Sequence, residues 1–303
     1  MNTCVEIQSA PPASDSTPLF LVHDGGGTIF SYHLVDDLGR AVYGISNPNF
    51  DSESAFNGSI HDMATLYVSF IRSRYPKGDI LLGGWSLGGM LSLEMAAILA
   101  EDPDLRVKGM IFIDSPYPKT SPPSNLEVFS SGMVFSDATR AEMREKINRS
   151  MDSARRMIQD WTLPTWTTSQ PPPMILLRAR ESVHPQESGK IARVDFARAD
   201  PELGWGNYSH HFIEKTIDIP GAHYSVFKFE YGSQNGEDCL RISQPLAKYW
   251  YDIYPTQSVM PGSKIKTRSD SSFMSLIRDE SLDDEVPTYG HPPTGHRLDR
   301  LVK

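Results

Sequence analysis

Cysteine is scarce in this chain: 303 residues carry only Cys4 and Cys239. Two cysteines close at most one bridge, so a disulfide-stapled scaffold is excluded and a reducing compartment is expected. Also missing is a basic N-terminal segment leading into an apolar run, so no secretory signal peptide is expected. No apolar stretch approaches the length of a membrane span. Positive charge is in deficit, with 29 Lys and Arg against 38 Asp and Glu, which argues against a general nucleic-acid binder. There is no complete dinucleotide fingerprint or P-loop, and no Cys/His/carboxylate grouping with metal-ligand spacing. No cofactor and no metal is therefore called for. Internal repeats are absent. These absences leave a soluble, cytoplasmic globular protein, long enough for one sizeable domain and an appendage.

What is present centres on one stretch. The apolar residues Leu81 and Leu82 feed Gly83, Gly84, Trp85, Ser86, Leu87, Gly88 and Gly89, and a helix-forming run over 90–100 follows. Strand, sharp turn and helix with a Gly-x-Ser-x-Gly pattern on the turn make the nucleophile elbow of a serine hydrolase. The serine sits in a strained backbone conformation, so the residues two before and two after it must be small. Gly84 and Gly88 provide that room. The hydroxyl then stands at a helix N-terminus, where N–H groups meet developing negative charge.

The order of segments around the elbow sets the fold class. Residues 1–17 are rich in Pro, Ser and Ala, with a short edge strand at Val5, Glu6 and Ile7. Continuous apolar runs at 19–23, 41–45, 81–85 and 107–113 read as strands buried on both faces. Ser59 and Asp62 form a capping box that starts a helix running to Arg74, whose core face carries Ile60, Met63, Ala64, Tyr67, Phe70 and Ile71. This β/α alternation predicts an α/β fold of the α/β-hydrolase type: a mostly parallel, doubly wound sheet with its ligand at the C-terminal strand ends. From 115 to 170 the alternation stops. A helical section over 138–160 bearing Met143, Ile147, Met151, Met157 and Ile158, then Trp161 and Trp166, reads as a helical lid inserted at the strand ends. Strands resume at 173–177 and end at 217–220, with a closing helix over 239–251. The hydrolase domain is thus placed at 18–254. Residues 255–303 form a polar tail, predicted to be disordered, in which Phe273, Leu276 and Ile277 suggest a brief helix or docking motif.

Ser86 needs a base, because a serine hydroxyl is almost never ionised at neutral pH. The expected chain order is Ser, acid, His. His223 lies just past the last strand. His23 and His61 precede the serine, His184 is followed by proline, His210 and His211 precede the last strand, and His291 and His296 lie in the tail. Two acids are open. Asp114 ends the strand after the elbow helix; Glu181 follows the next strand, in a run where Arg178 and Arg180 could simply pair with it. Asp114 is preferred, to hold the His223 tautomer and stabilise the imidazolium. The oxyanion donors are expected to be the backbone N–H of Leu87 and those of the glycine loop at Gly25 and Gly26.

Taken together these segments resemble the thioesterase domains of polyketide and nonribosomal peptide synthetases, most of all fungal polyketide-type thioesterases. The matching residues are 20–28, Tyr43, Gly44 and Ile45 with Asn47 and Pro48, residues 84–89, Ile113, Asp114 and Ser115, Leu203, Gly204 and Trp205, and residues 221–225. The likeness covers about 19–250 and leaves out the tail. It implies Asp at position 114 as the triad acid and a helical lid. It also implies an acyl thioester substrate on the phosphopantetheine arm of an acyl-carrier domain, processed through an acyl-Ser86 intermediate and released by hydrolysis or cyclisation. With no carrier or synthase domain in the chain, it implies an enzyme acting in trans. An esterase, lactonase or cyclase of the same fold, or a non-catalytic product-binding protein, are the alternatives.

Overall fold

A computed structural model describes residues 4–227, apart from 123, 125, 130–134, 136–138, 168 and 184–188. The closing helix expected over 239–251 and the tail over 255–303 lie outside the described residues. In chain order the structure has β1 (Cys4–Gln8), β2 (Leu19–Val22), β3 (Val42–Ile45), α1 (Ile60–Arg74), β4 (Gly78–Trp85), α2 (Leu87–Ile98) and β5 (Leu105–Ile113). It continues with β6 (Glu127–Phe129), α3 (Ala141–Asp160), β7 (Met174–Glu181), β8 (Lys190–Ala192) and β9 (Ile213–Ala222), with short 3-10 turns between.

Seven strands form one sheet in the order β1-β3-β2-β4-β5-β7-β9. All neighbours run parallel except edge strand β1, which pairs antiparallel with β3. The apolar runs are continuous because both faces of the sheet are covered. Along β2, Phe20 and Val22 join the core under α1, α2 and α3, while Leu19 and Leu21 join the core on the opposite face. Met110 and Phe112 alternate with Ile111 and Ile113 in the same way, as do Met174 and Leu176 with Ile175 and Leu177. The expected capping box starts α1: the Ser59 hydroxyl accepts from the Asp62 N–H, and the Asp62 carboxylate accepts from the Ser59 N–H.

Chain direction across the sheet reverses at β2. From there the chain steps outward to β3, then returns to the other flank of β2 as β4 and proceeds through β5, β7 and β9. A crevice opens outside the strand ends at such a reversal. The loop after β2 and the turn after β4 face each other there.

The last two core strands are longer than the sequence suggests: β7 reaches Glu181 where 177 is expected, and β9 starts at Ile213 where 217 is expected. The last strand runs on through Ala222, so His223 opens the 3-10 turn that follows it directly. The section between β5 and β7 is not helical alone: β6 pairs in parallel with β8 in a small second sheet. Among the described residues no helix is long and apolar enough to cross a membrane.

Candidate active site

β4 delivers the nucleophile candidate. Ser86 has φ 55° and ψ −114°, a conformation that costs free energy for any residue with a side chain. The neighbouring packing holds it there. The Ser86 N–H donates to the Ile113 carbonyl of β5 (2.9 Å). The Trp85 N–H donates to the Tyr32 hydroxyl (2.8 Å), which donates to the Val22 carbonyl (2.6 Å), tying the elbow to the end of β2. A Cβ on Gly84 would lie 2.7 Å from Gly88 Cα, and one on Gly88 would overlap the Val22 carbonyl oxygen. The elbow glycines are therefore fixed by contact as well as by turn geometry.

His223 and Asp114 meet at the same end of the sheet. His223 Nδ1 lies 2.8 Å from Asp114 Oδ2, and both residues are buried. With Nδ1–H donating to the carboxylate, the imidazole keeps a free lone pair on Nε2, the tautomer a general base requires. The ring of His223 sits 5.5 Å from that of Trp85, the residue preceding Ser86, and edge-on to Tyr224. Asp114 itself has φ 43°, and its N–H is held by the Leu177 carbonyl (2.7 Å).

Burial raises the Asp114 carboxyl pKa, but bonds and charge from His223 and Arg198 outweigh it and hold the pKa down at about 2. Arg198 lies far along the chain and carried no signal in the sequence. It grips both carboxylate oxygens, at 2.5 and 2.8 Å, and the Ala179 N–H donates to Oδ1 at 2.9 Å. The structure does not bring Glu181 to the histidine ring: its Oε1 accepts from the Gly221 N–H at 3.1 Å. Arg178, one of the two arginines that could pair with it, forks onto Asp218 instead.

The loop after β2 departs from expectation at one donor. The Gly26 N–H donates to Asp24 Oδ1 at 3.0 Å, so it is occupied and does not serve as an oxyanion donor as the sequence suggested. An aspartate accepting from the residue two positions on is an Asx-turn, which competes for the N–H that a bare glycine loop would leave open. Gly27 has φ 87° and its N–H returns to the Asp24 carbonyl. Gly25 remains as a candidate, with Leu87 at the first helical position of α2, where backbone N–H groups have no partner within the helix. His23 is structural: Nδ1–H donates to the Asp24 carbonyl (2.5 Å) and Nε2 accepts from the Tyr67 hydroxyl (2.6 Å). Burial lowers its pKa to about 4, keeping it neutral. Burial also pushes the Asp24 carboxyl up to about 7, against the pull of the loop N–H groups.

α3 lies on this loop. Its buried face is Ile147, Ser150, Ser153, Ala154 and Met157, a helical stripe in which two serines allow close approach. The Ser150 hydroxyl accepts from Asn47 Nδ2 (3.3 Å), and the Ser153 hydroxyl donates to the Phe56 carbonyl (2.9 Å). A Cβ on Gly25 would fall 2.7 Å from Met151 Sδ, and one on Gly27 would fall 2.6 Å from Ser150 Oγ. Past the helix, Trp161 Nε1 donates to the buried Glu94 carboxylate (2.8 Å), which also takes His61. Among the described residues no group of three or more His, Cys, Asp or Glu is arranged to hold a metal ion.

The reversed parallel sheet and the strained serine at its switch point define an α/β hydrolase. A family model described as "Thioesterase domain" matches residues 17–162. The probable thioesterase gloN of Glarea lozoyensis is 37% identical, over 74% of this chain and 86% of its own length. Thioesterase frbE of a Dothideomycetidae species is 37% identical, over 73% and 88%. The chain belongs to the thioesterase family and is a hydrolase acting on thioesters. Among solved structures, the NocB thioesterase domain from the nocardicin cluster superposes with a TM-score of 0.55 at 20% identity, covering 75% of this chain and 92% of that one. That likeness is one of fold.

Proposed function

We propose that this chain is a serine-dependent thioesterase. It releases an acyl product, polyketide or peptide in type, from the phosphopantetheine thioester of a carrier domain. The observation that supports this best is the 2.8 Å contact of His223 with Asp114 beside the strained Ser86 elbow. Ser86 Oγ attacks the thioester carbonyl while His223 Nε2 takes its proton. The tetrahedral oxyanion is stabilised by the Leu87 and Gly25 N–H groups. Collapse breaks the C–S bond, and the imidazolium returns its proton to the departing pantetheine sulfur. The acyl-Ser86 ester is then opened by water, giving a carboxylic acid, or by a nucleophile within the acyl chain, giving a ring. His223 acts as base again in either case. Asp114 stays ionised and holds the histidine tautomer throughout.

The same reading divides the chain into an N-terminal segment (1–17), the hydrolase domain (18–254) and a tail (255–303). It makes α3 the lid: its seating on Gly25 and Gly27 supports a helix that covers the acyl chain and excludes water. The enzyme works in the cytoplasm alongside its synthase. Matched panels of acyl-pantetheine thioesters and the corresponding oxygen esters test the proposal by their kcat/KM values. Thioesters with extended acyl chains are expected to lead. Oxygen esters or lactones leading across the panel would favour the esterase reading. No turnover, together with tight retention of the free acids, would favour a product-binding protein.

A further inference from the structure

We propose that Arg198, backed by Asp195, is a positioning residue of the triad: it clamps Asp114 in register with His223 and sets the net charge the imidazole faces. This rests on the catalytic reading above. All five N–H groups of Arg198 have acceptors. Nη1 donates to Asp114 Oδ1 (2.5 Å) and the Ala179 carbonyl (2.9 Å); Nη2 donates to Asp114 Oδ2 (2.8 Å) and the Val194 carbonyl (3.2 Å). Nε donates to Asp195 Oδ1 at 3.0 Å, and Asp195 Oδ2 accepts from the Val183 N–H at 2.7 Å. Side-chain exposure is 8% for Arg198, 2% for Asp195 and zero for Asp114. A buried relay therefore runs from His223 through Asp114 and Arg198 to Asp195.

Two roles follow. Asp114 stands on a backbone at φ 43°, so the aim of its carboxylate depends on partners. A planar fork satisfying both oxygens fixes that aim in a way an ammonium point charge cannot. The second role is electrostatic. The charged groups packed around His223 are Asp114 from the end of β5, Arg198 and Asp195 from the segment after β8, and Glu181 from the end of β7 through Gly221. Arg198 cancels one of the two buried carboxylates in the relay. Without it, two negative charges would favour the imidazolium, and His223 would carry its proton to higher pH. Neutralising Asp195 instead leaves Asp114 and Arg198 balanced and has the opposite effect.

The test uses the full-length chain as wild type, Arg198→Met, Arg198→Lys and Asp195→Asn. Two readouts are taken: NMR titration of the His223 imidazole in ¹⁵N-histidine-labelled protein, and kcat and KM for an acyl-N-acetylcysteamine thioester across pH. In Arg198→Met the titration and the acid limb of kcat/KM rise by about one pH unit, and in Asp195→Asn they fall by a similar amount. Arg198→Lys keeps the titration near wild type but lowers kcat roughly tenfold at unchanged KM, because the fork is lost. Titrations that coincide with wild type in both charge variants, or move in the same direction, overturn the proposal. Should Arg198→Met fail to fold, Asp195→Asn and Arg198→Lys decide it alone. Opposed titration shifts in a protein that makes no acyl-enzyme, wild type included, would sustain the clamp and sink the catalytic reading.

Discussion

Replacing Asp114 by Asn tests the assignment of the acid at the level of single hydrogen bonds. The carboxylate accepts four: His223 Nδ1 and Arg198 Nη2 on Oδ2, Arg198 Nη1 and the Ala179 N–H on Oδ1. An amide offers one acceptor oxygen and one NH2. With the NH2 at the Oδ2 position, it donates to His223 Nδ1 and forces the proton onto Nε2, the tautomer that cannot accept from Ser86. With the NH2 at the Oδ1 position, it faces the Ala179 N–H and Arg198, donor against donor in a site closed to water. The first arrangement removes the base and also sets the NH2 against Arg198 Nη2; both leave buried donors unsatisfied, at about 1–3 kcal/mol. Either way Arg198 loses a counter-charge. A fall in kcat of about 10³- to 10⁴-fold is expected, with destabilisation of about 3 kcal/mol. Acyl-N-acetylcysteamine hydrolysis measures the first and urea unfolding the second. Glu181→Gln keeps a carbonyl oxygen for the Gly221 N–H and should stay within about threefold of wild type, since a neutral–neutral bond replaces a charge-assisted one. Asp114→Asn retaining a tenth of the activity, or Glu181→Gln being the inactive protein, would refute the reasoning.

The elbow, the glycine loop and the contact just past α3 each yield a further expectation. Gly88→Ala puts a methyl group into the Val22 carbonyl and 2.9 Å from that of His23; backbone cannot step aside as a side chain can. Urea unfolding should show a loss of about 2 kcal/mol or more, together with a large fall in kcat. Asp24→Asn tests the raised carboxyl pKa of about 7. A folded-state pKa above the ordinary 3.8 means that ionisation costs stability, so wild type weakens as pH rises from about 4 through 7. The variant should gain at most about 4 kcal/mol over wild type at pH 8 and little at pH 4; equal differences at both pH values would count against it. Trp161→Phe removes the indole donor from the buried Glu94 carboxylate and should cost about 1–3 kcal/mol in thermal or urea unfolding.

The parts of the fold carried by local pattern were readable from the residues. Apolar runs at β2, β4, β5 and β7 announce strands covered on both faces, and Ser59 with Asp62 announces the start of α1. The elbow could be read because its glycines are demanded by a turn within five residues. Chain order does not separate Asp114 from Glu181, since both fall between Ser86 and His223. The preference for Asp114 rests on its place at the strand tip, on the arginines beside Glu181 and on the usual position of the acid in the family it resembles. What stayed hidden depends on distant partners. Arg198 stands 84 residues from Asp114, in a segment with no periodicity, and only folding brings them together. Gly26 misled because the Asp24 Asx-turn takes its N–H. The small second sheet of β6 and β8 pairs two three-residue strands across α3 and β7, too short to leave a pattern. Ser150 and Ser153 carry no apolar signal, yet they face the loops because small side chains let α3 sit close.

The central claim is that a thioester acyl group passes onto Ser86. Its most direct measurement is intact-protein and peptide mass spectrometry after rapid acid quench of the enzyme mixed with an acyl-pantetheine thioester. The predicted result is a mass increase equal to the acyl group, mapped to the peptide bearing Ser86, forming and decaying with turnover and absent in Ser86→Ala, which is inactive. Turnover at the wild-type rate in Ser86→Ala, or an acyl group carried on any other residue, would contradict it.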